Sequence, residues 1–68
     1  MAVTVHIKSC GGEITGMFAT IVGDTVALFL GITPDGTGGY RGCGKRFTFS
    51  AAEVEVTADH PEVEVRQI

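Results

Sequence analysis

The sequence predicts an all-β fold: a small antiparallel meander of five to six strands closing into an SH3-like or OB-like barrel. Three observations carry this. Apolar residues recur at every second position in segment after segment, which is the period of a half-buried strand. Short breaks rich in Gly and Asp separate those segments. No stretch keeps a 3.6-residue apolar period over three turns, so at most one helical turn is expected.

The elements follow in order. Val3, Val5 and Ile7 alternate with Thr4, His6 and Lys8, a first strand ended by Cys10-Gly11-Gly12. Ile14 to Val22 and Thr25 to Ile32 are two further strands, joined by the two-residue hairpin signal Gly23-Asp24. Thr33 to Gly44 is rich in glycine and reads as a long mobile loop. Lys45 to Ser50 alternates again, with Phe47 and Phe49 on one side. Ser50-Ala51-Ala52-Glu53 fits one helical turn with a capping box, Ser at the N-cap and Glu three residues on. Val54 and Val56 resume alternation, Asp59-His60-Pro61 turns the chain, and Val63, Val65 and Ile68 form a last strand. Glu53, Glu55, Glu62 and Glu64 alternate with valines, so they are expected on the outside, as a solvated face that guards the sheet edge.

The central hairpin can be given a register. A two-residue loop at Gly23-Asp24 opposes Val22 to Thr25, Ile21 to Val26, Thr20 to Ala27, Ala19 to Leu28, Phe18 to Phe29 and Met17 to Leu30. Opposed residues share a sheet face. One face then carries Met17, Ala19, Ile21, Val26, Leu28, Leu30 and Ile32, and is expected to be the core. The other carries Phe18, Phe29, Ala27 and Thr20. A small barrel buries one face of a hairpin, so the opposed Phe pair needs a cover. Either the coiled sheet and the C-terminal segment close over it, or a second molecule does. An exposed apolar patch usually marks an interface, which makes Phe18, Phe29, Ala27 and Thr20 the candidate interaction surface.

Gly23-Asp24-x-Val26-x-Leu28, with Gly31 and the Gly-rich stretch to Gly39, resembles the KOW element found in SH3-like barrels. The resemblance supports the barrel expectation. The segment lacks the basic residues with which such modules meet RNA, and no family is assigned from it.

Composition narrows the function classes. At 68 residues the chain is one domain near the lower size limit for a self-sufficient core. Its net charge of −3 disfavours nucleic acid, whose binding depends on phosphate neutralisation. The charge is nonetheless polarised: Arg41, Lys45 and Arg46 crowd one segment, whereas Glu53, Glu55, Asp59, Glu62 and Glu64 fill the C-terminal stretch. Tyr40, Arg41, Lys45 and Arg46, with Lys8, therefore form an alternative site for a nucleic acid or phosphate ligand, in which Tyr40 would stack on a base.

Gly39-Tyr40-Arg41-Gly42-Cys43-Gly44-Lys45 matches the spacing of a phosphate-binding P-loop, but Arg46 stands where Ser or Thr should hold magnesium and a strand follows instead of a helix. Cys10 and Cys43 lie in glycine-flanked turns that a disulfide could bridge. Together with His6 and His60 they lack the spacing of a zinc site. No catalytic residue, metal or cofactor is expected. The apolar run from Met17 to Ile32 is broken by Thr20, Gly23-Asp24 and Thr25, so it is not a membrane span, and no basic leader precedes it. The expected compartment is the cytoplasm. The leading expectation is a non-catalytic interaction or adaptor protein that self-associates, or docks on a larger protein, through an apolar sheet face.

Overall fold

Alternating valines place β1 (Val3–Ile7) at the centre of the molecule, because Val3 and Val5 both point inward and are fully buried. In the computed structural model, which describes residues 2–68, β1 is the middle strand of a three-stranded antiparallel sheet. Its neighbours are β2 (Gly12–Gly16) and β6 (Val54–Ala58). A second sheet of four strands has the order β5 (Tyr40–Ser50), β4 (Thr25–Pro34), β3 (Phe18–Val22), β7 (Val65–Gln67). The core lies between the sheets: Val3, Val5 and Val54 from the first meet Ala19, Val26 and Leu28 from the second. Ile7, Ile14, Ile21, Phe49, Val56 and Val65 pack around that cluster.

The all-β expectation is met; the closed barrel is not, since neither sheet returns to pair with itself among the described residues. The chain crosses between sheets three times, at two tight corners and then through residues 59–64 between β6 and β7. One corner is Met17, between β2 and β3, where the segment expected as one strand from Ile14 to Val22 is split in two. Apolar alternation runs unbroken through that corner, so periodicity cannot show it. The Met17 N–H donates to the Phe29 carbonyl at 2.9 Å and fixes the bend. The other corner is a 3-10 turn, η1 (Ala51–Glu53), between β5 and β6. The expected helical turn is there, but Ser50 at its N-cap position makes no side-chain cap bond. Instead the Ala51 N–H donates to the Asp24 carbonyl at 2.7 Å. Ser50→Ala should therefore shift stability by less than about 0.5 kcal/mol; a loss of about 1 kcal/mol in urea unfolding, typical of a working cap, would contradict this.

The β3–β4 register agrees with the expected one pair for pair from Val22–Thr25 to Phe18–Phe29. Its core face is buried at Ala19, Val26 and Leu28, yet Met17 and Leu30 are exposed, at 37% and 40%.

The glycine-rich segment is corrected more strongly. Most of the expected loop is strand: β4 runs to Pro34 and β5 begins at Tyr40, leaving only residues 35–39 as a turn. The two strands form a long ribbon whose register slips between Phe29 and Gly31, a β-bulge. Glycine serves close approach here. A side-chain carbon at Gly42 would overlap the Phe29 ring, so the ring lies on bare backbone.

The C-terminal segment is also corrected. Pro61–Glu64 forms a single helical turn, α1, with Pro61 in its first turn, and only Val65–Gln67 is strand. β7 runs parallel to β3, with Ala19 opposite Val65, where an antiparallel meander was expected. The turn also rotates Glu64 inward. It is 1% exposed, whereas Glu53, Glu55 and Glu62 stand on the surface as expected.

Candidate interaction surfaces

The Phe18/Phe29 face is covered from within. Phe18 is 3% exposed and its ring meets that of Phe29 at a centroid distance of 6.3 Å, tilted by 49°. Such tilted aromatic pairs add stability beyond the area they bury. Phe29, Ala27 and Thr20 are half-buried. Of the two covers expected for the aromatic pair, Phe18 has the intramolecular one: it lies in the interior, beside a Phe29 ring that rests on the bare backbone of Gly42.

Phe18 instead forms part of the lining of a cleft of about 430 Å³. Its walls come from Asp35, Gly39 and Tyr40 on one side and from Glu62, Val65 and Arg66 on the other. The 35–39 turn owes its shape to one carboxylate. Asp35 Oδ1 accepts from the Thr37 hydroxyl at 2.6 Å, the Thr37 N–H at 2.8 Å and the Gly39 N–H at 3.3 Å. This is the usual way an Asp side chain shapes a turn. The Thr37 hydroxyl first, then the Thr37 amide, hold the Asp35 carboxyl below its ordinary range, with smaller help from Gly39 and the charge of Arg66.

A carboxyl with a lowered folded pKa contributes stability above its unfolded value, and that contribution disappears as pH falls through the folded one. The turn should therefore loosen only in acid, below the ordinary aspartate range. The Thr37 and Gly39 amide resonances would report it by moving together as Asp35 protonates. An unchanged Thr37 amide across that titration would show that the bonds do not form.

The four residues of the alternative anion site do not come together. Tyr40 lines the cleft beside the carboxylates of Asp35 and Glu62, whereas Arg41, Lys45 and Arg46 lie along β5 outside the lining. Two carboxylates beside Tyr40 oppose a phosphate there. The P-loop spacing from Gly39 to Lys45 lies almost entirely within strand, with no helix N-terminus behind it.

What β5 does present is an open edge. It pairs with β4 on one side and with nothing described on the other. Arg41, Lys45 and Arg46 are all exposed along it. Among the described residues the ion pairs are those of His6 and His60, so these three cations are uncommitted. Phe47, also on β5, is 37% exposed, and Leu30 lies across the ribbon on β4.

The two histidines each have a carboxylate neighbour. His6 faces Glu13 across the β1–β2 ladder, with Nδ1 2.8 Å from the carboxylate, and its Nε2 lies 3.3 Å from the Thr57 hydroxyl. Glu64, whose burial the alternation had hidden, accepts from the His60 N–H at 3.3 Å, while its Oε1 has no hydrogen-bond partner and lies 3.6 Å from His60 Nδ1. Cys10 and Cys43 are unpaired. Among the described residues no group of three His, Cys, Asp or Glu side chains is arranged to hold a metal ion, and no helix is long and apolar enough to cross a membrane. No family model, curated protein or solved structure matches this chain.

Proposed function

We propose that this protein is a non-catalytic interaction module that recruits a protein partner by strand addition to the open edge of β5. The observation that carries the reading is the edge itself: a strand of eleven residues, paired on one side only, with three uncommitted cations along it. An unpaired edge offers a row of backbone donors and acceptors that a second strand can complete, and side chains beside it select which strand. The exposed apolar residues of the ribbon, Phe47 and Leu30, supply area that a docked strand would cover. The module thus keeps the role expected of the aromatic face and moves it to the ribbon. The three cations favour an acidic partner strand, since complementary charge steers encounter and sets register.

Amide exchange tests this. In the dilute protein the outward-facing amides of β5 should exchange far faster than those of the Thr25–Phe29 half of β4, which is paired on both sides, and should slow when a partner binds. Equal protection of β5 and β4 in the dilute protein would mean that the edge is not open, and the reading would fall.

A further inference from the structure

We infer that the partner of the β5 edge is a second copy of this chain, which adds its own β6 edge there, so that copies associate head to tail. The inference rests on the reading of β5 as an open interaction edge and names its occupant.

The argument is one of charge placed on edges. The two sheets leave four outer strands: β5 and β7 in one, β2 and β6 in the other. β5 carries Arg41, Lys45 and Arg46 and no acid. β6 and the residues flanking it carry Glu53, Glu55 and Asp59 and no lysine or arginine. All six side chains are exposed, and none forms an ion pair within the described residues. The other edges match β5 less well. On β2 the lone carboxylate, Glu13, is already held by His6, and β7 is three residues long with Arg66 as its charge.

Charged side chains on an edge usually serve to prevent strand pairing. Here they do so selectively. Two β5 edges would bring cations against cations, and two β6 edges would bring carboxylates against carboxylates. Both symmetric pairings are therefore penalised, and the unlike pairing is left. The lengths agree as well. The five residues of β6 span about 17 Å, which one half of β5 accommodates. The half that suits is Tyr40–Arg46, since it holds the cations and the remainder leads directly into its own η1 and β6. An unlike contact of this kind generates a ring where its rotation closes and an open series where it does not.

Sedimentation velocity of the full chain tests the inference. At low ionic strength and rising concentration the species should be multiples of the 7.1 kDa chain, and added salt should return them toward the monomer. Two variants reverse one edge each: Lys45→Glu/Arg46→Glu and Glu53→Lys/Glu55→Lys. All four positions are exposed, so both should fold, which circular dichroism verifies. Each alone should associate at least about tenfold more weakly than the parent, because like charges now face each other. A chain carrying both reversals should regain association. Association that neither single reversal weakens would overturn the inference, as would a monomer at every concentration. In the latter case fast exchange at β5 would leave the strand-addition reading standing with a different partner, whereas β5 amides as protected as those of β4 would remove both.

Discussion

Phe18→Ala is expected to lower the free energy of unfolding by about 3–4 kcal/mol and to leave the state of association unchanged. The ring is almost wholly inaccessible and packs on Phe29, so its removal leaves a cavity that the surrounding strands can only partly fill. A domain of this length holds roughly 3–10 kcal/mol in total at typical stability per residue. The loss therefore populates the unfolded chain measurably, and urea unfolding would register it as a large drop in midpoint. The same variant separates the two roles considered for this residue. If it retained the parent midpoint but sedimented as a smaller species, Phe18 would be an interface residue after all.

Gly16→Ala is expected to cost about 2–3 kcal/mol, although it adds a single carbon. That carbon would lie 2.5 Å from the Phe29 carbonyl oxygen and 3.0 Å from Leu28 Cγ. Backbone would have to move, and the carbonyl concerned is the one that accepts the Met17 N–H at the corner between the sheets. The strain thus falls on the contact that turns the chain from β2 into β3. Thermal unfolding of the variant checks this, and an unaltered midpoint would mean that the corner has room the structure does not show.

These two residues also mark where sequence reading succeeds and where it stops. The Phe18–Phe29 pairing was readable because a two-residue loop at Gly23-Asp24 sets the register and alternation propagates it. Alternation likewise recovered β1 and the inward valines of β1 and β6. It failed at Gly16 and Met17, where one continuous apolar pattern serves two strands in different sheets. It failed again between Thr33 and Gly44. Glycine there suggests a free loop, whereas Gly42 lets an aromatic ring lie on the backbone.

At Glu64 the alternation with valine pointed outward, and a helical turn begun at Pro61 turned the residue in. Of the candidate site residues, the cations Arg41, Lys45 and Arg46 were legible as a basic segment from their spacing alone. That Tyr40 also lines a cleft with Asp35, Glu62 and Arg66 depended on segments far apart in the chain.

The sequence by itself determined the all-β character, the central hairpin and its register, and the polarity of charge between the β5 segment and the C-terminal stretch. All three follow from local rules of period, turn length and composition. The tertiary structure alone decided which face of the hairpin is covered, that the sheets stay open at β5 and β6, and that unlike charges line those two edges. Each of those depends on how segments distant in sequence meet, and a pattern read along one strand holds no record of what lies across from it.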